Sequence, residues 1–541
     1  MSPILFLSIL AAIALDLAAI WGWRYWRTRR AAANVPAPPQ PPPRLVEVAF
    51  VRLERTGHQL AGAAASLLRL FREEALSDER GRLRVSILVA CLVLNASIGY
   101  AYADTIMVQG WQLWTWILVC IVAIVVLMPT GGVRLRWSRE AWLVLGLTIV
   151  SAALRLTALG QFPAGLHGDE GRLADFTLIH VYPEPGLTLS PFRVGLYSQP
   201  TLYNYIIWIS MRLLGENIVG LRLASAVAGT LAVPMTYFAV SQFSAERPGG
   251  DSGRRVALFS AVLMATYHYH IQWSRLSLNN IWDTLWIPAM LGFFAWGWSA
   301  RQPAGAVLSG VALGLSQYFY AGSKIALFLL PFTAYTLWRQ DLDTRRLLLD
   351  AGRGLTAAVI IAAPILAFSG RAPSLVVERL NVVYFWNDMA SSGIDPAGLG
   401  WLEMIRDQAF RAVVGFTSLT DRTGFYRAGV PLVMGLAAPL FLAGVVWAIL
   451  QRQFIPVVWI GLTVVFGGFL LSATPSSSHY VAAIPAVAWL IALLLDGVWR
   501  NVRPWLAIVL LVAIVASDIV YYFGVYVPSD SPGDFDLPFP K

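Results

Sequence analysis

Apolar runs of about 18 residues or more recur along this chain, and that recurrence restricts the fold more than any single motif. Trp111–Met128, Ile218–Val240, Ile455–Ser472 and Trp505–Tyr526 each carry one charge or none. In hydrocarbon every backbone amide must find its partner within the protein, so such runs read as spanning helices. Composition agrees: 57% of residues are hydrophobic and 13% charged, against about a quarter charged in soluble domains. The expected fold class is an all-α integral membrane protein, a multi-span helical bundle with juxtamembrane helices in the first external loop. The net charge of +9 then reflects basic loops that set topology and is no sign of a nucleic-acid partner. Cys91 and Cys120 both fall inside apolar runs, as small packing residues outside any disulfide framework.

The organisation follows from the order of apolar and basic stretches. Ile4–Ile20 is apolar and Arg24, Arg27, Arg29 and Arg30 follow it, so 1–30 reads as an anchor helix with its N-terminus outside. Residues 31–84, read as cytoplasmic, hold a polyproline linker, Pro36–Pro43, and a stretch, Leu45–Phe71, with apolar positions at helical spacing. That stretch fits an amphipathic helix on the anionic leaflet and a solvated connector equally well. Residues 85–140 add two spans, Val85–Ala103 and Trp111–Met128. The main domain, 141–527, begins with Ala141–Leu159 and has external loops at 160–217 and 370–428, and 528–541 is an external tail. Thr201–Leu214 is too short to span and reads as a juxtamembrane segment. Spans at Ile218–Val240, Val256–His268, Ile281–Trp298, Ala304–Tyr320, Ile325–Trp338, Leu347–Phe368, Val430–Leu450, Ile455–Ser472, Tyr480–Leu495 and Trp505–Tyr526 then put the basic loops on one side. The total is about fourteen spans, consistent with the positive-inside rule.

Against this background the stretch Phe162–Arg172 stands out, a Pro/Gly-rich turn presenting His167, an adjacent acid pair Asp169–Glu170, and Arg172. A solvated loop is the plain reading of an isolated Asp-Glu. With the topology above, however, other polar groups share its face of the membrane. The same loop supplies Glu184 and Arg193. The next supplies His268, His270, Gln272, Ser274, Arg275, Asn279 and Asn280, with Asp283 one turn inside the following helix. Tyr318, Tyr320 and Lys324 line a short turn, and Ser476–Tyr480 form another. Ionisable residues at a membrane edge are functional by default. His268 and His270 also fit an aromatic belt beside Tyr267 and Tyr269, and a His-X-His pair lacking an obvious third ligand is a weak metal signal. A divalent metal stays an open alternative that no clear ligand set supports, and no other cofactor is assigned. All 40 cations are Arg except Lys324 and Lys541. A compact ammonium retained at the membrane edge fits a phosphate contact, or a side chain that snorkels.

These residues carry a resemblance. The chain resembles the GT-C superfamily of membrane glycosyltransferases, in the branch of protein O-mannosyltransferases and lipid A aminoarabinose transferases. That branch has an acidic pair in the first external loop, matched by Asp169-Glu170-Gly171-Arg172-Leu173-Ala174. Its Pro-Pro-Leu-Tyr-like element is matched by Ser198-Gln199-Pro200-Thr201-Leu202-Tyr203. Gly215, Arg222 and Leu223 follow in the family's order, and His479, Tyr480 and Pro485 resemble a later helix-opening pattern. The resemblance covers about Ala141–Arg503. Two positions depart from it: Gln199 stands where aminoarabinose transferases place a phosphate-holding Lys, and Asn279 and Asn280 stand where many relatives have a second acid.

The resemblance implies a GT-C-type bundle and a sugar transfer from a polyprenyl-phosphate donor to a hydroxyl or amine of a glycan, lipid or protein acceptor. It places the site on the extracytoplasmic face of the plasma membrane. Attack at the anomeric carbon passes through an oxocarbenium-like state that a nearby carboxylate stabilises, and the same carboxylate accepts the nucleophile's proton. Asp169 is the expected base and Glu170 its partner in orienting acceptor or sugar. Arg172, Gln199, Arg275, Tyr320, Lys324, His479 and Tyr480 are the candidate ligands for donor phosphate or sugar. One direct displacement inverts the anomeric configuration. The rival is a polytopic transporter or flippase, which would hold its substrate near the bilayer midplane and show internal repeats; none is evident. In the outer loop 370–428, Tyr384, Phe385, Trp386 and Trp401 suit an acceptor platform or a packed cap.

Overall fold

A computed structural model describes residues 79–129, 139–183, 186–244, 251–386, 400–426 and 428–529. The N-terminal anchor, the proline linker, the segment Leu45–Phe71, the basic loop 134–138, Glu184 and nearly all of the tail lie outside these residues.

The described chain is helical apart from one pair of short strands and a few isolated bridges. In order, the helices are α1 Glu79–Ala101, α2 Trp111–Leu127, α3 Arg139–Leu156, α4 Gly168–His180, α5 Leu202–Leu214, α6 Ile218–Ser244, α7 Asp251–Thr266, α8 His268–Ser274, α9 Asp283–Ser299 and α10 Pro303–Ser316. They continue with α11 Ala326–Asp341, α12 Thr344–Arg371, α13 Pro373–Val383, α14 Gly400–Val414, α15 Ala437–Leu450, α16 Phe454–Thr463, α17 Ile484–Asn501 and α18 Pro504–Ile519. Strands β1 Met107–Gln109 and β2 Leu187–Leu189 pair antiparallel.

Each apolar run within the described residues forms a helix. Five helical stretches are long and apolar enough to cross a membrane, among them Glu79–Ala101, Ile218–Phe243 and Thr344–Arg371. Others, such as Trp111–Leu127 and Pro303–Ser316, are apolar but shorter, so the total of fourteen remains a reading of the sequence. The run Val430–Leu450 is helical only from Ala437. Before it, Pro431 bridges Thr420, and Gly435 adopts a φ of 51° that ends extended pairing. The outward side chains of these helices are apolar, including Leu118, Val125, Val446 and Val512, as expected where the solvent is lipid.

Helices α1 and α2 pack on α12. Asn95 donates to the carbonyl of Ile360 at 2.8 Å, and the Trp116 indole to that of Ile361 at 3.0 Å. Gly99 lets the backbones meet, since a Cβ there would lie 2.0 Å from the Pro364 carbonyl oxygen. Near the starts of α3 and α7, Arg254 pairs with Glu140 at 3.0 Å. Arg255 and Arg500 both hold the buried Asp496 of α17, at 2.9 and 2.8 Å. Arg346 lies over the Trp298 ring at 4.5 Å. These cations belong to loops read as cytoplasmic. The polar groups singled out above cluster at the other ends of the same helices.

Candidate active site

The acid pair lies in the first turn of α4, where the sequence suggested only a turn. His167 caps that helix: its Nδ1 accepts from the Asp169 amide at 3.1 Å, and Glu170 accepts from the His167 amide at 3.2 Å. This reciprocal cap is a capping box with His in the place usually held by Ser or Thr. It orients the two carboxylates differently. Glu170 is fully buried and takes both Nε and a terminal nitrogen of Arg222 at 3.0 Å, plus the Ser277 amide at 2.7 Å. Arg222 also donates to the carbonyls of Pro163 and Gly165 at 2.9 and 2.6 Å. Glu170 thus ties the loop before α4 to α6 and to the segment after α8.

Asp169 stays partly exposed. Its side-chain neighbours are Tyr197 and Arg172. Arg172 donates to the Tyr197 hydroxyl at 2.6 Å, and that hydroxyl is hydrogen-bonded to the Asp169 carboxylate. Burial raises the Tyr197 phenol above its usual value, and the Asp169 carboxylate adds to the rise. The Tyr197 hydrogen bond pushes the Arg172 guanidinium further up, keeping it charged. Tyr197 was missed in the sequence, where nothing but its place before Ser198-Gln199 marked it. Its backbone was a further hidden signal: Tyr197 and Ser198 both sit at positive φ, 55° and 54°. A left-handed pair without glycine costs about 1–3 kcal/mol per residue and recurs at functional sites.

Other loops close around this cluster. Gln199 accepts from the Asn279 amide group at 3.0 Å, and Asn280 donates to the Ser478 carbonyl at 3.0 Å. Asp421 accepts from the Ser477 amide at 3.0 Å, and Phe425 packs on the His167 ring with centroids 4.4 Å apart. These contacts link the segments of Gln199, Asn279–Asn280, Ser477–Ser478 and Asp421–Phe425 back to His167.

The predicted ligands separate into two groups. Lys324 is exposed yet closely surrounded by protein, and the buried Asp283 is near enough to act on its charge. Crowding lowers its ammonium pKa below the usual lysine value, and the Asp283 carboxylate partly opposes that shift. Tyr320 precedes it, and His479 is partly exposed in the turn joined to Asn280. By contrast, Arg275 is buried and donates to the carbonyls of Leu154, Arg155, Thr157, Ala158 and Phe162 at 2.8–3.1 Å, capping the end of α3. Tyr480 is also buried, its hydroxyl donating to Ala412 at 3.0 Å. His270 accepts from the buried Arg155 at 2.6 Å and meets Thr284 at 3.1 Å, so it is committed to packing α8. Among the described residues no three His, Cys, Asp or Glu side chains gather into a metal-holding group.

Residues 198–368 match the family model of the dolichyl-phosphate-mannose-protein mannosyltransferases. That segment contains Gln199, Arg222, Asn279, Tyr320 and Lys324, and begins after the acid pair. Over 227 residues the chain is 29% identical to the undecaprenyl phosphate-alpha-4-amino-4-deoxy-L-arabinose arabinosyl transferase 1 of Pseudomonas fluorescens, covering 39% of each protein. The match therefore spans about two fifths of that relative's length. Among solved structures, the apo ArnT of Cupriavidus metallidurans is 17% identical with a TM-score of 0.43, covering 73% of this chain and 74% of that one. The oligosaccharyltransferase of Archaeoglobus fulgidus is 15% identical with a TM-score of 0.42, covering 74% and 56%. The family model and the curated relative are both glycosyltransferases, and this chain is similar to the first over residues 198–368 and to the second over 227 residues.

Proposed function

We propose that the protein transfers a sugar from a polyprenyl-phosphate-linked donor to an acceptor hydroxyl or amine, with inversion, at the extracytoplasmic face of the plasma membrane. The observation that carries this reading is the division of labour within the acid pair. Glu170 is consumed by Arg222, whereas Asp169 is presented, partly exposed, by a helix cap and a Tyr197–Arg172 contact.

In the reaction the acceptor oxygen or nitrogen attacks the anomeric carbon while the bond from that carbon to the phosphate oxygen breaks. The bonding pair leaves with the polyprenyl phosphate, and the acceptor's proton passes to Asp169. The carboxylate also faces positive charge developing on the sugar ring. Lys324 and Arg172 are the cations that receive the leaving phosphate, with Gln199, Tyr320 and His479 as hydrogen-bonding groups around it. Arg275 and Tyr480 support the fold instead. Glu170 is a positioning residue.

A transporter is the less favoured reading, since the polar groups collect at one end of the bundle and the family match is to transferases. Incubating the purified protein with labelled polyprenyl-phosphate sugars separates the two. Release of polyprenyl phosphate with transfer of the label supports the enzyme, and uptake into proteoliposomes without chemistry supports the transporter.

A further inference from the structure

Beside the acid cluster, on the Ser198 side of the loop that carries Tyr197, lies a cavity of about 250 Å³. Its apolar wall comes from Ile106, Leu189 and Leu375, and its polar lining includes His180, Arg193 and Glu378. None of the groups assigned to sugar transfer lines it.

Three features point to an occupant. First, Arg193 is half-buried over the Phe368 ring, 6.0 Å from its centroid; its Nε donates to the Val194 carbonyl at 3.2 Å, and one terminal nitrogen is buried with no hydrogen-bond partner. An unsatisfied buried donor costs about 1–3 kcal/mol, more for a charged group, and an anion would relieve it. Second, Glu378 lines the same cavity but is exposed, and among the described residues no ion pair joins it to Arg193. Third, the surroundings are apolar on the outside as well: Ile106, Ile179, Leu375 and Val377 are all exposed. These residues come from the start of β1, the end of α4, and α13, which follows the outer end of α12. A guanidinium in a cavity whose lining includes the exposed Ile106 and Leu375 fits an amphiphile, with the anionic group inside and the chain in the bilayer.

We propose that this cavity binds the phosphate of a net anionic phospholipid headgroup, with Arg193 as its charge partner and Ile106 and Leu375 against the first part of the chain. A bound phosphate completes the bonding of a residue five positions before Ser198, and so holds the loop that carries Tyr197. The inference concerns binding alone and stands or falls independently of the transfer reaction.

Titration of the full-length protein with phosphatidylglycerol, phosphatidylcholine and inorganic phosphate, followed by native mass spectrometry, tests it. Phosphatidylglycerol should bind, and Arg193→Gln should weaken that binding by about tenfold or more, the scale of a lost charge-assisted hydrogen bond. Leu375→Trp, which fills the cavity from its apolar wall, should weaken it as well while leaving Arg193 in place. Thermal unfolding of both variants near the wild-type temperature establishes that the fold is intact. Inorganic phosphate competing as well as the lipid would overturn the lipid assignment. Equal binding of phosphatidylcholine, or unchanged phosphatidylglycerol affinity in both variants, would overturn the site.

Discussion

At the residue scale, two neighbouring carboxylates differ because their environments differ. Glu170 is a buried half of an ion pair, and removing one partner of such a pair leaves an uncompensated charge. Glu170→Gln should therefore destabilise the protein by about 3 kcal/mol, seen as a lower midpoint in detergent-based unfolding. Loss of turnover without loss of stability would instead put Glu170 in the chemistry. Lys324 gives a pH signature. Its ammonium, the charged form, is the one that binds phosphate, and its pKa is lowered from the ordinary lysine value by the surrounding protein. Donor affinity should hold at lower pH and decline as pH rises through a pKa below that ordinary value, and Lys324→Met should abolish the dependence. A flat profile in the wild type would return Lys324 to a snorkelling role.

Helices were the most legible elements, because an apolar run in a membrane has few alternatives to a helix. The helix boundaries were less legible where local chemistry intervened, as at Pro431 and Gly435 ahead of α15. Helix α4 was hidden by its Pro/Gly-rich approach and by a histidine cap, a residue type seldom weighed as an N-cap. The packing of α1 and α2 against α12 depends on a close backbone approach that periodicity does not reveal. Gly99 marks it, and Gly99→Ala should force the two backbones apart, since its Cβ would fall 2.0 Å from the Pro364 carbonyl oxygen. Overpacking of this kind costs about 1–3 kcal/mol, so thermal unfolding should shift down while catalytic residues remain untouched. Wild-type stability would show that α1 does not pack on α12 at this point.

For the whole molecule, alternating basic loops predict a sidedness, and the structure places those basic residues and the acid-pair cluster at opposite helix ends. A cysteine at Gly168, where a Cβ meets nothing within 4 Å, should react with an impermeant thiol reagent from outside the cell. A cysteine at the exposed Asn501 should be protected until the membrane is opened. Reversed labelling would invert the topology. The site itself was only partly legible. His167, Asp169 and Arg172 do come together, with Tyr197 of the same loop joining them and Gln199, two residues on, bonded to Asn279. Arg275 and Tyr480 looked equivalent to Lys324 and His479 in the sequence, but their hydrogen bonds go to carbonyls whose positions only the folded chain supplies. The central claim rests on Asp169, and its most direct test is single-turnover release of polyprenyl phosphate from a labelled donor by wild type and Asp169→Asn. The amide keeps the shape and donor binding but cannot take the proton, so release by the variant should be slower by about 10²-fold or more. Equal rates in the two proteins would contradict the account.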